Sequence, residues 1–164
     1  MGDNVVRRGA PRASLAVQYA APRAGLPARR SIERWVGAAL ERPAAVTIRF
    51  VGRREGRALN RQYRGRDYAT NVLTFVYQAA QDRSGAVSGD LVLCAPVVAE
   101  EARAQGKALR AHYAHLVMHG VLHLQGWDHE RTREADAMER RETALLAALG
   151  FDDPYRPIEE RRAA

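Results

Sequence analysis

Cysteine, lysine and long apolar runs are all scarce in this sequence, and each scarcity narrows what the protein can be. Cys94 is the single cysteine among 164 residues, so no intrachain disulfide can form. That fits a chain of the reducing cytoplasm. Within LVLCAP the thiol reads as a small core residue and not as a nucleophile. Apolar runs last only a handful of residues, against the roughly 20 needed to cross a bilayer, so no membrane association is expected. The opening MGDNVVRRGAPR lacks the apolar centre of a secretory signal. Val6 stands where an N-myristoylation signal needs Ser or Thr.

Lysine occurs once, at Lys107; every other basic side chain, histidine apart, is arginine. Together they number 26 against 19 acidic residues, for a net charge of +7. A GC-rich genome accounts for the bias toward arginine and alanine, but the positive excess remains and favours an anionic partner such as nucleic acid. The length suits one domain with a real core. Residues 1–13 read as a flexible N-terminal arm, 14–157 as a single domain and 158–164 as a C-terminal tail.

Along the domain, 22–27 reads as a connection and 31–41 as a helix, with Ser31 as its N-cap and Pro43 beyond its end. Alternation over 45–52 places Val46, Ile48 and Phe50 on one side of a strand. A short helix is expected over 54–63, followed by two strands in TNVLTFVY and GDLVLCA. The pattern then turns helical at 96–105, 109–125 and 132–149, with Thr132 as a cap and Gly150 as the terminator. Strands followed by helices predict an α+β domain: a small mixed sheet packed with several helices.

HYAHLVMHGVLHLQGWDHE, residues 112–130, is the informative segment. Leu109, Tyr113, Leu116, Val117, Val121 and Leu124 share one broad helical face, and Ala114, Met118 and Leu122 cover most of the rest. The helix is therefore buried, with His112, His115, His119 and His123 in the remaining sector. Buried imidazoles need partners, and one metal ion can satisfy several. His119 and His123 are one turn apart and can reach the same ion. Gly126 allows a positive-φ exit that can return His129 as a third ligand. H-x-x-x-H-x-x-G-x-x-H is the ligand framework of metzincin proteases. Three imidazoles with one open position describe a catalytic zinc site with one ion. His115 reads as a residue behind the ligands or a packing residue, and His112 has no assigned role.

Zinc proteases carry a general-base Glu after the first histidine; here Gly120 occupies that place. Asp128 is the nearest carboxylate in sequence, able to orient a ligand histidine or to accept a proton from activated water. A metalloprotease-like hydrolase and a non-catalytic zinc protein are the rival readings at this point.

HGVLHLQGWDH resembles H-G-x-L-H-L-x-G-x-D-H of the bacterial YbeY endoribonucleases at every defined position. LNRQYRGRDYATNVLTF (59–75), GDLVLCAPVVAEEA (89–102) and AMERRETALLAALGFDDPY (137–155) are similar to further blocks of that family, in the same order. In T-F-V, Thr74 and Val76 flank Phe75 where the family usually has Ser and Pro. The resemblance implies a zinc-dependent, single-strand-specific RNA hydrolase. It further implies a role in maturing the 3′ end of small-subunit ribosomal RNA and in ribosome quality control, with the small subunit or its factors as partners. It also implies functional importance for His119 and for Arg64, whose guanidinium suits phosphate binding. Metal-activated water is the expected nucleophile, with the RNA 2′-hydroxyl as the other possibility.

Overall fold

A computed structural model of the chain describes residues 12–78, 85–128 and 130–162. The chain runs β1 (Ala13–Ala20), α1 (Arg29–Ala39), β2 (Ala44–Val51), α2 (Arg53–Arg64), β3 (Val72–Gln78) and β4 (Val87–Cys94). Four helices follow: α3 (Ala95–Ala104), α4 (Leu109–Leu124), α5 (Thr132–Ala148) and α6 (Ile158–Arg162). The sheet has the order β1-β2-β4-β3, with β1, β2 and β4 parallel and β3 antiparallel to β4. This is the expected mixed sheet of an α+β domain.

Strand β1 is an element the sequence reading does not assign. Its alternation is short and only half buried, with Leu15, Val17 and Tyr19 turned inward. Its pairing partner is the distant β2, with Val17 opposite Ile48. Tyr19 stacks on Phe50 at 5.5 Å and donates its hydroxyl to the Pro27 carbonyl at 2.8 Å, so the 22–27 connection is anchored to the strand it follows.

Two helix starts differ from expectation. Helix α1 begins before Ser31: Ala28 occupies the cap position, and the Ser31 amide already donates to the Ala28 carbonyl at 3.0 Å. The Ser31 hydroxyl instead accepts from Arg110 of α4 at 2.8 Å. Thr132 is likewise the first helical residue of α5 and not its cap, which is Arg131.

Helices α1 and α4 cover one face of the sheet, and α2 and α3 the other. The first layer holds the main core, including Ile32, Trp35, Ile48, Phe50, Leu91, Val117, Met118 and Leu122. Val51, Leu73, Val92 and Cys94 form the smaller core under α2 and α3. Burial pushes the Cys94 thiol upward, which suits its packing role. Helix α4 is buried nearly all round, as its composition demands.

Two glycines let α4 lie flush on β4. A Cβ on Gly120 would stand 2.2 Å from Leu91 Cδ2. One on Gly89 would stand 2.3 Å from the Phe75 carbonyl oxygen and 2.4 Å from Leu124 Cδ2. Because backbone cannot yield as a side-chain end can, Gly89→Ala is expected to destabilise the fold by about 1–3 kcal/mol. The check is the urea midpoint; an unchanged midpoint would show that α4 can shift without cost.

Candidate metal centre

The histidines line up because α4 repeats every 3.6 residues. His115, His119 and His123 succeed one another by one turn, with ring centroids 6.2 and 4.5 Å apart. Nε2 of His119 and Nε2 of His123 face each other at 3.0 Å. Two ring nitrogens converge there.

The other side of His119 is held by α5. Nδ1 of His119 shares a hydrogen bond with Glu142 Oε1. The second oxygen, Oε2, lies 3.0 Å from His115 Nε2 and accepts the Tyr155 hydroxyl. Tyr155 also stands 3.2 Å from His115 Nε2. Glu142 is fully buried, whereas the His119 side chain is 26% exposed. Burial by itself would push this carboxyl upward. Hydrogen bonds from His115 and His119, the charge on His119 and the Tyr155 hydroxyl outweigh that cost and hold it at about 2. Glu142 is thus ionised, and its bond to Nδ1 leaves Nε2 as the His119 nitrogen that faces His123. This carboxylate–histidine pairing stands behind many metal ligands.

The geometry can serve a metal in two ways. One donor each from His115, His119 and Glu142 lie within 4.8 Å of one another. These groups already satisfy one another by hydrogen bonding. The His119 and His123 Nε2 pair opens on the other side, where both nitrogens suit a borderline ion such as zinc. The donor chemistry therefore fits a divalent cation.

His129, the third expected ligand, lies outside the described residues. The turn leading to it has the expected form: Gly126 has φ +96°, its amide donates to the His123 carbonyl, and Trp127 donates to the Leu122 carbonyl. The Asp128 carboxylate accepts the Glu130 amide at 3.1 Å, bridging the backbone across position 129. Trp127 packs against the main core and donates Nε1–H to Glu41 at 3.3 Å. Arg64 ends α2 and is exposed, with no carboxylate partner among the described residues.

Glu142 and Tyr155 are the site residues missed from sequence. A signal existed: Met138, Glu142 and Leu146 succeed one another by one turn on the buried stripe of α5. An acid between two buried apolar residues requires a partner. Asp128 is the carboxylate near the histidines in sequence, and Glu142 is the one that meets them in space.

His112 belongs to a separate network. Its Nε2 lies 2.9 Å from Glu101, which also accepts from Asn71 Nδ2 at 3.2 Å. Asn71 in turn accepts the Cys94 amide on its carbonyl, so the start of β3 is tied to α3, α4 and β4. Burial lowers the His112 pKa, against the opposing pull of Glu101. A depressed folded value means that the unfolded chain takes up the proton first. The stability is therefore complete above the ordinary value of 6.5 and declines as pH falls through the folded value. Metal-free protein should lose stability between about pH 7.5 and 5.5, and His112→Gln should flatten that slope. Urea unfolding at both pH values measures it; equal slopes would remove His112 from the acid response.

The Endoribonuclease YbeY family model matches residues 27–150, a span that includes Arg64, the α4 histidines and Glu142. The chain is 57% identical over 153 residues to the Endoribonuclease YbeY of Cupriavidus metallidurans, covering 92% of this chain and 77% of that one. It is 58% identical over 155 residues to the Endoribonuclease YbeY of Stenotrophomonas maltophilia, covering 90% and 96%. A Thermotoga maritima protein solved in solution shares the fold, with a TM-score of 0.53 and 22% identity over 87% of this chain and 99% of that one. Matching across most of its length, and at more than half of its aligned positions, the chain belongs to the YbeY endoribonuclease family.

Proposed function

We propose that this chain is a metal-dependent endoribonuclease that cuts single-stranded RNA in the cytoplasm. Its role is 3′-end maturation of small-subunit ribosomal RNA and ribosome quality control, with the small subunit or its factors as partners. The observation that carries the reading is the convergence of His119 and His123 Nε2 at 3.0 Å, with His119 tied to Glu142 through its other nitrogen. In this reading one zinc ion is held by His119, His123 and His129. When bound, that ion supplies Lewis acidity toward a phosphodiester oxygen and lowers the pKa of an attacking hydroxyl or water.

The chain's own residues supply the rest. Glu142 fixes the His119 tautomer and ring orientation, and His115 and Tyr155 hold Glu142 in turn. Arg64 binds a backbone phosphate and offsets the charge that develops during cleavage. Asp128 braces the backbone on either side of position 129 and is the nearest proton acceptor in sequence.

A protease of the metzincin kind is disfavoured by packing. The space a Glu at position 120 would need is occupied by Leu91, so that residue cannot serve as a general base without rebuilding the α4–β4 contact.

The deciding experiment measures metal content and cleavage of a labelled single-stranded RNA together. Wild type should carry about one zinc per chain and cut. His119→Ala should lose both properties. Arg64→Ala should keep its metal and lose about 10²–10³-fold in rate. Equal residual cutting by wild type and His119→Ala would assign the activity to a contaminant and move a non-catalytic zinc protein to the front. Separately, Glu142→Gln should weaken zinc affinity by about 10–100-fold. Competition with a chromogenic chelator reads that change, and an unaltered affinity would reduce Glu142 to a packing role.

A further inference from the structure

The segment from α2 into β3 combines positive charge with exposed aromatic rings, and of these the reading above uses Arg64 alone. From Arg57 to Asn71, Arg57, Arg61, Arg64 and Arg66 stand against one acid, Asp67. Asp67 is already neutralised by a two-pronged pair with Arg57, at 2.8 and 2.9 Å. Arg64 and Arg66 line an open groove of about 510 Å3 together with Asn60, Tyr68 and Thr70, and no carboxylate lines it.

The groove is held in shape from beneath. Asn60, only 1% exposed, donates Nδ2–H to the Tyr68 carbonyl at 2.7 Å. Its buried Oδ1 has no partner among the described residues, an unmet acceptor in a groove residue. Gly65 turns the chain at φ +67°, and Arg66 Nη1 donates to the Tyr68 hydroxyl at 3.2 Å. The Tyr68 ring is nevertheless 52% exposed, and Tyr63, next to Arg64, is 59% exposed. Tyr63 is fixed edge-on against Phe75, with centroids 5.2 Å apart. Large rings held in place yet facing water cost hydration free energy unless a flat partner covers them. Tyr77 is more exposed still, but its hydroxyl is tied to the Asp90 carboxylate, which would repel a phosphate.

We propose that the α2–β3 turn is a nucleotide-binding subsite for single-stranded RNA. Arg64 and Arg66 hold a backbone phosphate there, and Tyr68 and Tyr63 stack the flanking bases. The proposal rests on the RNA reading above and names the residues that favour an unpaired strand. Stacking needs bases that are out of a duplex, and every base offers a face. Tyr63 meets Phe75, which pairs with Asp90; Leu124, next to His123, approaches the neighbouring Gly89 from the other face of the sheet.

The test compares binding of two fluorescein-labelled 2′-O-methyl single strands to the zinc-loaded full chain. One carries bases throughout; the other carries abasic spacers in its central positions. Tyr68→Leu and Tyr63→Leu should each weaken the base-bearing strand by about 5–100-fold and leave the abasic strand unchanged. Tyr68→Phe and Tyr63→Phe should restore wild-type binding. Arg64→Ala should weaken both strands. Far-ultraviolet circular dichroism confirms that each variant is folded. If the leucine variants bind both strands like wild type while Arg64→Ala weakens both, stacking is overturned and the RNA reading stands. If wild type binds neither strand, the RNA reading fails and this subsite with it.

Discussion

Burying the carboxylate of Glu142 is the constraint around which the site is organised. A buried anion without partners is among the costliest features a fold can contain. Here three donors from two further elements surround it: His115 and His119 from α4, and Tyr155 from the segment after α5. Satisfying Glu142 therefore fixes the separation and rotation of α4 against α5 and draws the C-terminal segment onto both. The same contacts aim His119 at His123. Burial drives the Tyr155 phenol upward, and its hydrogen bond to Glu142 adds to that, so the hydroxyl stays a donor. One interaction serves two ends: the bonds that make the buried charge tolerable also orient the His119 ring.

A second constraint, the close seating of α4 on the sheet, gives those bonds a fixed platform. Gly120 and Gly89 remove the side chains that would hold the helix away from β4. Gln125, almost fully buried, secures the end of the helix. It donates to the Ala39 and Val121 carbonyls and accepts the Glu41 amide, joining α4 to the end of α1. With a core contact on one side, a buried carboxylate on another and this amide clamp at the end, α4 has little freedom to rotate. The placement of the histidines on such a helix is set by packing, so the side chains are ordered in advance of any partner.

The distinction between what was legible and what was not follows from the range of the interactions. The elements 44–51, 53–64, 109–124 and 132–148 were readable within a residue or two, because each carries its own periodicity and its own Gly or Pro punctuation. The His119–His123 pair and the Gly126 turn were readable for the same reason: spacing along one helix determines which side chains meet. Strand β1 was not, because eight half-buried residues acquire meaning only beside β2, about thirty residues onward. Glu142 and Tyr155 lie 23 and 36 residues beyond His119 and depend on how α5 folds back. Ser31 misled because a good capping residue close to a helix start is not thereby its cap.

The placement of charge suits a polyanionic substrate. A carboxylate holds His119 in place, yet the same charge presented to RNA would repel it. The fold resolves the conflict by depth. Glu142 has no exposure and is covered by the imidazoles it binds, whereas His119 is partly exposed and Arg64 and Arg66 reach solvent. Asp67, the one acid on the α2–β3 turn, is paired with Arg57. The exposed charge of this region is therefore cationic, and the anion that organises the centre stays beneath the side chains that bind it. Exchanging Glu142 for a surface carboxylate at similar distance would keep the orienting bond and lose this concealment. That is why the required acid lies on the buried stripe of α5 and not in the exposed turn that follows the histidine helix.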